Sequence, residues 1–145
     1  MASSPARIRV LLDTNVVLDW LFERKPWSDE ARPLWDARAA GQLVMYMPAS
    51  ALTDIFYIGR RLTSIPEAFA AIDRVFAAFN FIHVDIQMLR QARALPGNDF
   101  EDNVQIACAY AAHLDYIVTR NTPDFMHSSV RAIEPSDIVT YLSPP

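Results

Sequence analysis

The stretch Leu11–Asp19, "LLDTNVVLD", sets an acid and two small polar residues in the middle of an apolar run. Upstream, "IRVLLD" (8–13) is uniformly apolar and partly β-branched, which predicts a strand buried on both faces. Downstream, residues 15–23 space their apolar side chains as a helix does. The run therefore reads as a strand that ends at Asp13 and turns into a helix. Asp13 or Thr14 can cap that helix, or the carboxylate can be held at the strand tip for chemistry. The stretch alone leaves both readings open.

The same succession extends along the chain. "FIHVD" (81–85) and "YIVT" (116–119) read as further buried strands, with "LVMYM" (43–47) and "VRAI" (130–133) as weaker ones. Helical spacing covers 28–40, 86–95 and 100–113, and also "PASALTDIFYIGRRL" and "PEAFAAIDRVFAAF". In the first of these two, Leu52, Ile55, Phe56, Gly59 and Leu62 are expected to face inward. In the second, Phe69, Ile72, Val75, Phe76 and Phe79 repeat the pattern. Strands with no wet face, alternating with helices, predict an α/β three-layer sandwich around a central parallel sheet. A chain of 145 residues, 52% of them hydrophobic, suits one compact domain spanning 1–145. The head "MASSPA" and the tail "SPP" are expected to fray.

Several function classes fall away. With three glycines and no Gly-rich loop after any strand, neither a dinucleotide fingerprint nor a phosphate-cradling loop is available. No apolar run approaches the roughly 18–20 residues that span a bilayer, and the start lacks the apolar block of a secretory signal. A cytoplasmic protein with no membrane partner is expected. Cys108, the only cysteine, lies in "IACAYAA" and reads as a small buried side chain. No serine sits in a nucleophile elbow, and His83, His113 and His127 lack metal-ligand spacing. The net charge of −4 argues against a protein that coats nucleic acid. It leaves room for a nuclease whose acids gather around metal ions and whose arginines lie on the rim.

In open parallel sheets, ligands bind beyond the carboxyl ends of the strands. Asp13 ends the first strand, and Asp54 falls on the helix after the second. Asp99 and Asp102, three apart, open the helix at 100–113 on one face. Asn121 and Asp124 follow "YIVT" in "RNTPDF". Each acid has an ordinary reading as a cap, a dipole partner, a surface ion pair or a turn residue. Gathered in one crevice they repel one another, and a divalent cation offsets that repulsion. Oxygen-only donors point to Mg²⁺ or Mn²⁺ rather than zinc.

Taken in order and spacing, "VLLDTNVVLDWL", "MPASALTDIFYIGRR" and "DFEDNVQIACAYAAHLDYIVTRNTPDF" resemble the PIN-domain ribonucleases, including the VapC-type toxins of toxin–antitoxin pairs. The resemblance runs from about residue 8 to about residue 142. It implies a compact α/β/α sandwich and a metal-dependent endoribonuclease in which metal-activated water attacks the phosphodiester. Carried over residue by residue, Asp13, Asp54 and Asp102 are the expected catalytic acids. Asp13, Asp99, Asp102 and Asp124 are the expected metal ligands, and Thr14, Asn15, Thr119 and Asn121 the supporting polar residues, with Thr14 and Asn15 holding Asp13. Arg60, Arg61 and Arg120 flank this site and are expected to contact RNA phosphates. The implied partners are an RNA substrate, an antitoxin and a second copy in a homodimer, with Trp20, Trp27, Trp35 and Tyr57 as surface candidates.

Two positions depart from the family pattern. Asp54 stands where a glutamate is usual, and Asn121 where an acid often follows "TR". Competing classes remain: an interaction module with a degenerate site, favoured by Asn121, and an RNA-maturation nuclease without an antitoxin. A phosphatase of the D-x-D type is disfavoured because Asn15 occupies the second acid's position.

Overall fold

A computed structural model describes residues 7–142, so the head and tail segments expected to fray lie outside the described residues. The five strands are β1 (Ile8–Leu12), β2 (Leu43–Pro48), β3 (Asn80–Ile82), β4 (Tyr116–Val118) and β5 (Arg131–Ile133). Between β1 and β2 run helices α1 (Thr14–Leu21), α2 (Trp27–Glu30) and α3 (Arg32–Ala39). A hairpin of α4 (Ala51–Leu62) and α5 (Ile65–Ala78) joins β2 to β3, and α6 (Ile86–Ala94) and α7 (Phe100–Ala111) join β3 to β4. A 3-10 turn at Thr122–Phe125 precedes β5, and α8 (Ile138–Tyr141) closes the described chain.

All strand pairs are parallel, in the order β3-β2-β1-β4-β5. Period-two alternation in β1 sends side chains into two separate cores. Val10 and Leu12 join one with residues of α1, α3, α4 and α5, while Leu11 joins another with residues of α6 and α7. The three layers expected from uniformly apolar strands follow from this arrangement. The chain adds β2 and β3 on one side of β1 and then returns to add β4 on the other. Neighbouring connections therefore diverge beyond the carboxyl ends of β1 and β4, which opens a crevice there.

The inward faces predicted for the α4–α5 hairpin need correction. Leu62, Phe69 and Phe76 are exposed. In α5 the buried residues are Ala68, Ala71 and Val75, with Phe79 buried just beyond its end. Alanine spacing and phenylalanine spacing are both helical, and the small alanines let α5 approach its neighbours closely. Phe69 instead lies against Phe56, with ring centroids 4.8 Å apart, and Phe76 against Phe81 at 5.6 Å. Trp20 and Trp35 stack on each other at 4.1 Å, whereas Trp27 and Tyr57 are exposed. Cys108 is fully buried, and desolvation pushes its thiol up to about 12, which suits a structural side chain. No described helix is long and apolar enough to cross a membrane.

Candidate active site

Asp13 resolves the ambiguity of the opening stretch. It occupies the N-cap position of α1, yet its carboxylate makes no capping bond; its backbone carbonyl accepts from the Val16 and Val17 amides instead. The side chain turns across the strand tips, where Oδ1 accepts from Gln105 Nε2 at 3.2 Å and Oδ2 from Thr119 Oγ1 at 2.9 Å. Both bonds are buried, and Asp13 is only 8% exposed. Thr119, directly after β4, also accepts from the Asn121 amide at 3.1 Å. The two strand tips at the crevice are thus tied together through one carboxylate.

Asp99 does act as a cap: its Oδ1 accepts from the Asp102 amide at 3.0 Å at the start of α7. Upstream, Asn103 Nδ2 donates to the Gly97 carbonyl at 3.0 Å. A side chain at residue 97 would run into the Asn103 amide and displace it from this close approach. Asp99, Asp102, Asp124 and His127 line a cavity of about 380 Å³. Asn121 Nδ2 donates to Asp124 Oδ2 at 2.7 Å, so amide and acid act as a local pair at the cavity rim. Burial pushes the Asp102 carboxyl up to about 7, reinforced by Asp99, Asp13, Asp124 and Glu101. That mutual repulsion identifies which acids share one field.

Among the described residues, no three His, Cys, Asp or Glu side chains are grouped so that they could hold an ion as they stand. Asp13, Asp99 and Asp124 each accept a hydrogen bond from a neighbouring N–H or O–H. The chemistry of the donor set still fits a hard divalent cation, because its oxygens are carboxylates whose charges raise Asp102 and lack a basic partner.

Other expected residues take different places. Among the described residues, the side chains hydrogen-bonded to the Asp13 carboxylate are those of Gln105 and Thr119, not those of Thr14 and Asn15. Thr14 is hydrogen-bonded to Glu101, and Asn15 accepts from Arg24 through its carbonyl at 3.2 Å. Asp54 is exposed in the first turn of α4, beside Glu101. Arg60 and Arg61 are exposed in the last turn, about 9 Å further along the helix axis at 1.5 Å per residue. Arg120, expected on phosphate, has its Nε 2.8 Å from Asp19 Oδ2 and its guanidinium 4.0 Å over the Trp27 ring. Arg24 meets the same acid at 2.9 Å, so Asp19 sits between two guanidiniums.

Glu101 and Gln105 are not among the residues that the sequence points to, and His127 is set aside there for lack of metal-ligand spacing. Partial burial pushes Glu101 up against the lowering effect of the Thr14 hydrogen bond, and Asp54, Asp13 and Asp99 push the same way. The available signal was position: Glu101 directly precedes Asp102, and Gln105 lies one helical turn beyond Glu101. His127 carried no such signal, since a loop brings it to the cavity.

A parallel three-layer sandwich with an acid-lined crevice at its topological switch point is the class that this fold and site define. The PIN domain family profile matches residues 9–123, and the chain belongs to the PIN domain family. The fold is also that of solved toxin–antitoxin structures. A DNA-bound VapBC from Salmonella typhimurium aligns with a TM-score of 0.69 at 16% identity, covering 88% of this chain and 98% of that one. A toxin–antitoxin complex from Klebsiella pneumoniae aligns at 0.63 and 22% identity, covering 87% and 97%. VapC20 of Mycobacterium tuberculosis, a sarcin-ricin loop cleaving toxin, aligns at 0.61 and 16% identity, covering 74% and 86%. Curated proteins provide no sequence match.

Proposed function

We propose that this protein is a metal-dependent endoribonuclease and the toxin of a toxin–antitoxin pair, acting in the cytoplasm. The observation that carries the reading is Asp13: a buried carboxylate at a strand tip, held by neutral donors and facing other acids rather than cations. Leaving such charge without a counterion opposes folding, and a bound cation offsets the cost. Family membership and the toxin–antitoxin assemblies that share the fold support the same reading.

Asp13 and Asp102, with Asp99 and Asp124 on the cavity wall, would hold Mg²⁺ or Mn²⁺. The bound ion supplies Lewis acidity to water and to the phosphodiester. Thr119 and Gln105 fix the Asp13 carboxylate, and Asn121 orients Asp124. Asp54, at the open side of the crevice, positions the attacking water and receives its proton. Arg60 and Arg61 take RNA phosphates further along α4. Arg120 contributes by anchoring the loop after β4 to Asp19, with little of its charge left for RNA. Exposed Tyr57, Leu62, Ile65, Phe69 and Phe76 provide apolar surface on the α4–α5 hairpin for the antitoxin or a second copy.

Cleavage of a labelled structured RNA with Mn²⁺, with Mg²⁺ and with chelator tests the reading. Wild-type protein is expected to cleave only with metal, and Asp102→Asn to lose at least about 100-fold, the scale on which electrostatic groups act in such sites. Metal-independent cleavage, or unchanged cleavage and Mn²⁺ binding in Asp102→Asn, would refute it.

A further inference from the structure

A cavity of about 320 Å³ lies at the carboxyl end of α1 and shares no residue with the acid-lined crevice. Trp20 of α1 and Trp35 of α3 line it, together with three cations, Lys25, Arg32 and Arg74. Two acids, Glu23 and Asp29, also line it, so the cavity carries a cationic excess in a chain of net charge −4. The pairing within it is loose. Asp29 stands 3.6 Å from Lys25 and 3.7 Å from Arg32, all three side chains are more than half exposed, and one carboxylate is divided between two cations. Arg74 meets no acid at ion-pairing distance among the described residues. Its Nη1 donates to the Leu21 carbonyl at 3.2 Å, and its guanidinium lies 4.8 Å from the centre of the Trp20 ring. The guanidinium has further N–H donors beyond the one that Leu21 takes. Because the indoles already engage each other, Arg74 and Phe79, the cavity offers contacts to phosphate oxygens rather than a ring on which a base can stack.

Position ties this cavity to α4. Leu21, which accepts from Arg74, is followed by Phe22, whose ring lies so close to Gly59 of α4 that a side chain there would run into it. Arg60 and Arg61, the exposed arginines assigned above to RNA phosphates, come next on that helix. The junction of α1 with α4 thus joins two groups of exposed cations, one leading from the crevice and one lining the cavity.

We propose that this cavity is a second RNA-contacting subsite, in which Arg32 and Arg74 hold backbone phosphates of the segment flanking the cleaved bond. The inference rests on the RNA-cleaving reading of the crevice. It requires no metal ion, so binding can be measured in chelator, where the RNA stays intact.

Fluorescence anisotropy of a labelled single-stranded RNA, titrated with protein in chelator over a series of salt concentrations, tests it, with thermal melts to establish folding. Arg32→Gln and Arg74→Gln are each expected to weaken binding about 2- to 5-fold at low salt. Each is also expected to lower the slope of log affinity against log salt by about 0.7, the share of one phosphate contact on a single strand. Arg38→Gln is the control: this α3 arginine donates to the Ala77 and Ala78 carbonyls and does not line the cavity, so its slope should match wild type. An unchanged slope in either cavity variant that folds overturns the proposal, and so does an equal drop in Arg38→Gln, which would mean diffuse attraction. Should Arg74→Gln not fold, exposed Arg32→Gln carries the test alone. A glutamate-rich peptide that binds more tightly than the RNA, and loses affinity in the same variants, would overturn RNA as the occupant in favour of an acidic protein segment. Failure of the wild-type protein to bind RNA at all would instead strike the RNA-cleaving reading itself.

Discussion

Two buried aspartates six residues apart, Asp13 and Asp19, are treated in opposite ways by the fold. Asp19, 1% exposed in α1, lies between Arg24 at 2.9 Å and Arg120 at 2.8 Å. Burial pushes its carboxyl up, and the charges of Arg120 and Arg24 pull against that rise. Among the described residues the Asp13 carboxylate receives a threonine hydroxyl and a glutamine amide, and its charge helps to raise Asp102. A buried carboxylate paired with cations ties α1 to the loops that carry the arginines. One given neutral donors has no cationic side chain holding it among the described residues, as the proposed metal site requires. Burial alone therefore does not separate the two acids; the sign of their neighbours does.

The largest expected effect falls on the structural side. Asp19→Ala leaves two guanidiniums facing a vacated, partly buried site and is expected to cost about 3–5 kcal/mol by denaturant unfolding. A cost below about 1 kcal/mol would erase the distinction between the two acids. Asp13→Asn is expected to change stability by about 1 kcal/mol or less, because weakened hydrogen bonds from Thr119 and Gln105 are offset by relief of repulsion. The same denaturation curves measure it, and a loss as large as that of Asp19→Ala would place Asp13 among the structural residues.

A third expected effect is a pH dependence. With its carboxyl pushed up to about 7 from an ordinary 3.8, Asp102 keeps a proton in the folded state over a range where the unfolded chain has lost it. The folded state then binds more protons, so this group's contribution makes the metal-free protein less stable as pH rises from about 4 to about 7. Asp102→Asn should flatten that part of the stability profile, measured by melting at several pH values without metal. An unchanged slope would mean that the acids around Asp102 do not share a field.

Much of this is legible in the sequence. Uniformly apolar β1 and β4 announced a covered parallel sheet, and Asp13, Asp99 and Asp102 stood out because strand ends and helix starts are local features. The α4–α5 hairpin was read less well: alanines and phenylalanines share helical spacing, and only packing chose the alanines for the interior. Nothing in the sequence marks Gln105 as a partner of Asp13, which is 92 residues away.

From the sequence by itself came the period of each segment, the layered parallel fold and the acids at its strand tips, because backbone periodicity and burial are written in neighbouring residues. Only the tertiary structure decided which acids were neutralised. It gave Asp19 an arginine 101 positions away and gave Asp13 a threonine 106 positions away. Charge interactions depend on distance in space, and the crossing from β3 back to β4 sets that distance for this chain.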